Sequence, residues 1–201
     1  MILQPSFYTR TDVVKIANEL LGKVIVTNVG GIVTSGMIVE TEAYAGVHDK
    51  ASHSYGGRNT DRTKVMFMNG GVAYVYLCYG IHHLFNVITN VEGVPSGVLI
   101  RAVEPLEGIE YMLVRRKKDK LTYALTGGPG ALSAALGINT VHTGTSLSGS
   151  SIYIEDRGIK ISKSEIVVGT RVGVAYAAED AMLPYRFSIK GNRYVSKGKG
   201  L

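Results

Sequence analysis

Cysteine is almost missing from this chain: Cys78 stands alone, so no intramolecular disulfide can form and no cysteine cluster can hold a metal. That scarcity suits a reducing compartment. Long apolar runs are missing too, and no segment approaches the roughly 20 residues of a membrane-spanning helix. Residues 1–10 lack the basic patch and apolar stretch of a secretory signal. A soluble, cytoplasmic protein without a membrane partner is therefore expected. No linker-like stretch, charge block or internal repeat divides the 201 residues, which predicts one domain over 1–201. His48 and His53 do not make the His-Glu-x-x-His pattern of a zinc site. Gly127-Gly128-Pro129-Gly130 lacks the lysine and hydroxyl residue of a nucleotide-binding loop. Neither metal nor cofactor is expected.

What is present is an ordinary globular composition, 45% hydrophobic and 19% charged. The net charge of +6 favours a polyanionic partner such as nucleic acid. Val13, Ile16, Ala17, Leu20 and Leu21 make a helical stripe, preceded by Thr11 and Asp12 as capping residues and closed by Gly22. Short β-type runs follow at 23–28, 32–44, 73–79, 85–89 and 98–103, with Gly30-Gly31 as a hairpin turn between the first two. Helices are expected over 107–116 and from Pro129 to near Gly137. Further strands are expected at 151–156, 165–174 and 186–190. Strands in runs, not in strict alternation with helices, indicate an α+β fold.

Two segments carry chemistry. In a strand, Glu40, Glu42 and Tyr44 share one face. Two carboxylates and a phenol are costly to bury, and close like charges raise a pKa, which is one way to tune a general base. The same pattern also fits the solvated face of an edge strand. In 73–79, Tyr74, Tyr76 and Cys78 share a face, while Tyr79 lies opposite or at the turn made by Gly80. Tyrosines on a strand serve as stacking platforms for bases, at about 1–3 kcal/mol per base, and they equally fill half-buried sheet faces. Of His48, His53 and the pair His82-His83, one is expected in a pocket and the rest at the surface. The run Arg115-Arg116-Lys117-Lys118 with Lys120 suits a phosphate backbone or a solvated helix end.

Taken together, the segments 38–44, His53-Ser54 with Gly56-Gly57-Arg58, Met66-Phe67-Met68, Tyr74-Val75-Tyr76 with Tyr79-Gly80, 99–108 and Arg171-Val172-Gly173-Val174 resemble the alkyladenine (3-methyladenine) DNA glycosylase family. The likeness spans roughly residues 5–195. It implies a mixed α+β domain around a curved antiparallel sheet, with a β-hairpin that enters DNA. It also implies a monofunctional, base-flipping repair enzyme acting on damaged double-stranded DNA at the bacterial nucleoid, and a monomer is expected because such an enzyme needs one pocket and one wedge.

By the same resemblance Glu42 is the general base that activates water, with Arg101 beside it. Tyr44, Ala51, His53 and Tyr76 hold the flipped purine, and Asn86 crowds the exocyclic amine of guanine. Tyr79 fills the gap left in the duplex, with Arg58, Ile81 and His82 at the DNA. Ile81-His82 and Ala175 depart from the animal relatives, as does a slightly longer stretch at 90–97, and no animal-type N-terminal extension precedes Met1. Two rival classes are a minor-groove binder without chemistry and a sugar glycosidase built on two carboxylates.

Overall fold

The stripe at the N-terminal end is the face that packs. The computed structural model describes residues 1–198 and Gly200. After a short helix α1 (Pro5–Tyr8), helix α2 spans Val13–Glu19. The Asp12 side chain accepts the Lys15 N–H at 2.9 Å, an N-cap worth about 1 kcal/mol. Ile16, Ala17 and Leu20 are wholly buried in a core shared with Phe85, Ile100 and Met112.

Eight strands form one antiparallel sheet: β1 (Val24–Val29), β2 (Ile32–Tyr44), β3 (Ala73–Cys78), β4 (His82–Thr89), β5 (Ser96–Glu107), β6 (Ile152–Glu155), β7 (Ile166–Gly169) and β8 (Arg186–Ile189). The order is β3-β4-β5-β2-β1-β6, and β8 joins β2 to β7. The sheet is strongly curled, and with the helices α3 (Ile109–Arg116) and α4 (Pro129–Leu136) packed on it and on each other, the fold is α+β as expected. Among the described residues no helix is long and apolar enough to cross a membrane.

Strand β2 positions the site. One edge pairs with β1 over its first half and with β8 at Glu40–Glu42, while the other edge pairs with β5 from Ser35 to Tyr44. Where the partner changes, the β2–β5 register slips twice: Val39 is the extra residue on β2, then Arg101 is the extra residue on β5. Paired bulges bend a sheet and re-aim side chains. Here they bring Arg101 against Glu40 and Glu42.

Several expected boundaries are corrected. The helix predicted over 107–116 begins only at Ile109, because β5 continues through Pro105 to Glu107. The proline pairs across a register slip, where a missing N–H is tolerated. The strand predicted over 165–174 ends at Gly169, since the chain then turns Arg171 inward to a buried carboxylate. Strand β4 starts at His82, earlier than expected, because it pairs with β3 up to the turn. The short helix α1 and the 3-10 turns at Ala175–Met182 carry no clear periodic signal.

Candidate active site

Glu42 and Glu40 are both fully buried, which excludes the solvated edge-strand reading. Glu42 Oε1 accepts the Val172 N–H at 2.7 Å and lies 3.2 Å from Arg101 Nη1. Its Oε2 accepts the Tyr44 hydroxyl at 2.9 Å. Glu40 is tied more heavily: Oε1 accepts from Arg101 Nε at 2.9 Å, Arg186 Nε at 2.7 Å and Ser196 Oγ at 3.0 Å, and Oε2 from the Ser196 N–H at 2.7 Å. Two carboxylates and two guanidiniums thus form a charge-balanced cluster. Burial works against the Arg101 charge, but Glu42 and Glu40 more than offset it and raise its pKa.

Beside this cluster Arg171 is also fully buried, paired with Asp49 through Nη1 at 2.5 Å and Nη2 at 2.9 Å. Its guanidinium also donates to the Ala43 and Asp180 carbonyls and lies 4.8 Å from the Tyr44 ring centroid. Tyr44 is therefore held at its hydroxyl by Glu42 and on its face by Arg171. Burial, followed by the Glu42 charge, pushes the Tyr44 pKa well up, so the phenol keeps its proton.

Above lies a cavity of about 40 Å³ lined by Tyr44, Ala51, His53, Tyr76 and Asn86 together with Tyr74. Strand alternation on β3 sets Tyr74 and Tyr76 side by side, 5.6 Å apart. His53 packs edge-on to Tyr76 at 4.6 Å, and its Nδ1 shares a 2.9 Å hydrogen bond with the Tyr74 hydroxyl. Burial, helped by the charges of Arg62 and Arg58, pushes the His53 pKa down to about 4. The imidazole is therefore neutral at physiological pH. Asn86 spends both amide hydrogens on the Tyr74 and Leu84 carbonyls, at 3.1 and 3.2 Å, which fixes its plane against the cavity.

The cavity opens into a groove of about 720 Å³ that includes Arg101, Tyr79, His82, Arg116, the start of α4 and Val172. Tyr79 is 91% exposed at the β3–β4 turn, with φ of 51°, and Gly80 follows at 72°. Positive φ at both central residues suits a hairpin turn but strains a bulky side chain. His82 packs on α4: a Cβ added to Gly130 would come within 2.9 Å of its ring, so glycine is what permits the approach.

Not every expected residue joins this assembly. Arg58 lines a separate cleft with His53 and Arg62, and Ile81 is exposed at the turn without lining either space. Ala175 is exposed and lines neither cavity nor groove, so its methyl does not narrow the pocket. Arg115 and Arg116 pin α3 to the carbonyls of Ala135, Leu125 and Ala124, so this basic run is partly structural. Among the described residues no cluster of His, Cys, Asp or Glu could hold a metal ion.

Residues to which the sequence assigned no part also belong to the site: Arg171, Asp49, Tyr176 and Ser196. Tyr176 donates its hydroxyl to the Ala51 carbonyl at 3.2 Å across the cavity mouth. The one available signal was Arg171 itself, a charge inside an apolar run.

The sequence pattern of the family described as "Methylpurine-DNA glycosylase (MPG)" matches residues 6–193. A Bacillus cereus (strain G9842) protein named "Putative 3-methyladenine DNA glycosylase" is 50% identical, covering 96% of this chain and 98% of its own. A Bacillus anthracis (strain A0248) protein of the same name is also 50% identical over the same shares, and a Bacillus thuringiensis (strain Al Hakam) one is 49% identical.

Proposed function

The chain belongs to the methylpurine-DNA glycosylase family, hydrolases of N-glycosyl bonds, and on that premise we propose that it flips an alkylated or deaminated purine out of duplex DNA and releases it with a water activated by Glu42. The observation that carries this is the hydrogen bonding of Glu42. A carboxylate has about four accepting positions; the Val172 N–H and the Tyr44 hydroxyl take two of them, and Arg101 Nη1 stands 3.2 Å away as the ion-pair partner. That leaves an accepting position on Glu42 for a water, beside a cavity walled by aromatic rings.

The reaction follows from charge. Alkylation at N3 or N7 gives the purine a positive charge, so the bond to C1′ breaks toward an oxocarbenium-like sugar. Glu42 takes the proton of the attacking water, and its negative charge stabilises the sugar. Tyr44 forms one wall of the slot and the His53–Tyr76 pair the other, and Asn86 bars the guanine amine. For neutral lesions such as hypoxanthine or ethenoadenine the leaving base needs a proton. Neutral His53 is poorly suited to supply a full one, so the proton comes from solvent.

Tyr79 fills the vacated stack while Arg58, Ile81 and His82 meet the duplex around it, which offsets part of the few kcal/mol that extruding a base costs. Among the described residues no lysine lines the cavity or groove, in keeping with release without a Schiff base. Glu40 already accepts four hydrogen bonds, which argues against a second catalytic carboxylate and so against a sugar glycosidase. We propose that the enzyme acts as a monomer on nucleoid DNA in the bacterial cytoplasm.

Glu42→Gln tests the role of the carboxylate. Single-turnover release of hypoxanthine from duplex DNA should fall about 10³-fold, with lesion binding retained. Unchanged release would remove Glu42 from the mechanism, and no release by the wild-type protein would favour the groove binder without chemistry.

A further inference from the structure

The family match ends at residue 193, yet the next residues reach the centre of the site. Asn192 donates to Glu104 Oε2 at 2.7 Å and so anchors this segment on β5. Ser196 then enters the buried cluster and stands between its two main members. Its hydroxyl donates to Glu40 Oε1 at 3.0 Å and accepts from Arg101 Nη2 at 3.2 Å, and its N–H donates to Glu40 Oε2 at 2.7 Å.

Arg101 is thereby held at three points: Nε on Glu40, Nη2 on Ser196 and Nη1 facing Glu42. Without the hydroxyl, Nη2 loses its acceptor, and the planar guanidinium is free to turn toward Glu40 and away from Glu42. Gly198 supports the same groups by close packing. A Cβ there would lie 3.0 Å from the Val172 side chain and 3.3 Å from Arg101 Nη2. Val172 donates its N–H to Glu42, and Arg101 is the ion-pair partner of the same carboxylate.

We propose that the segment 192–198 is a positioning strap for the reaction, in which the Ser196 hydroxyl fixes Arg101 and, through it, the orientation of Glu42. Ser196 touches neither DNA nor water in this role. The strap contributes to the rate of base release and not to lesion recognition, because its contacts end at the buried cluster and do not line the cavity. This inference rests on the function proposed above.

The experiment uses the full chain and a duplex with one hypoxanthine, measuring the dissociation constant and the single-turnover rate for wild type, Ser196→Ala and Gly198→Ala. Wild-type release must be seen first; its absence sinks the glycosylase reading and not the strap. Given release, Ser196→Ala should slow it roughly tenfold through loss of the bond to Arg101 Nη2, one of the two buried hydrogen bonds its hydroxyl makes to charged groups, with the dissociation constant within about twofold. Gly198→Ala, which removes no hydrogen bond, should slow it about threefold by displacing the same groups. A wild-type rate in Ser196→Ala overturns the proposal. So does a loss of rate matched by an equal loss of binding. If alanine at 196 does not fold, a folded Gly198→Ala with a wild-type rate overturns it equally.

Discussion

Glu42 and Tyr79 are presented by one curled sheet, yet the first is wholly enclosed and the second is 91% exposed. Around Glu42, and around Glu40 and Asp49 beside it, carboxylate oxygens meet donors on strands, loops and the segment 192–198. At the β3–β4 turn the side chains of Tyr79 and Ile81 have no such support, and the backbone itself is strained. On the proposed function, the difference separates two tasks. A group that must be oriented for chemistry is fixed before any ligand arrives, whereas a group that must enter a partner stays uncommitted until the partner supplies its contacts.

The largest effect is expected at Arg171. Arg171→Leu leaves Asp49 buried without its cation, and chemical denaturation should show a loss of about 3–5 kcal/mol. A loss under 1 kcal/mol would mean the enclosed region is not held by its ion pairs.

His53 lies between the two regions and gives a pH signature. Its folded pKa of about 4 lies below the ordinary 6.5, so between these values the unfolded chain binds more protons. Stability therefore falls as pH drops through that window. From pH 7.5 to pH 5 the cost is on the order of 1–2 kcal/mol, with the group partly open to solvent. Thermal melts at both pH values should show wild type losing more than His53→Gln; equal losses would place the histidine in solvent.

The smallest effect on stability belongs to the turn. Tyr79→Asn puts a residue suited to positive φ there and should stabilise the fold by about 0.5–1 kcal/mol. Binding to a lesion-bearing duplex should weaken roughly tenfold, about 1.4 kcal/mol. A variant that is less stable yet binds as well as wild type would erase the contrast between turn and floor.

Much of this was legible in the sequence, and the gaps have physical causes. Period-two alternation was enough to group Glu40, Glu42 and Tyr44, and to set Tyr74 beside Tyr76. The helical stripe of α2 and its cap were equally plain. The two bulges at Val39 and Arg101 were not, because a register slip depends on the partner strand and leaves no mark in either strand alone. Arg171 read as part of a strand since its neighbours are apolar, although burying it needed Asp49, 122 residues away. Ser196 lay in a glycine- and lysine-rich stretch that looks like a solvated end. Only the folded path brings it to Glu40.

Central to this account is that the enclosed carboxylate hydrolyses the bond between a damaged purine and its sugar, and does nothing further to the strand. The direct measurement incubates the wild-type protein with duplexes carrying one 3-methyladenine, hypoxanthine or ethenoadenine, and analyses the strands with and without alkali. Free damaged purine together with a strand that breaks only after alkali is the expected result. Strands that stay intact after alkali for every lesion, or that break without it, would contradict the account.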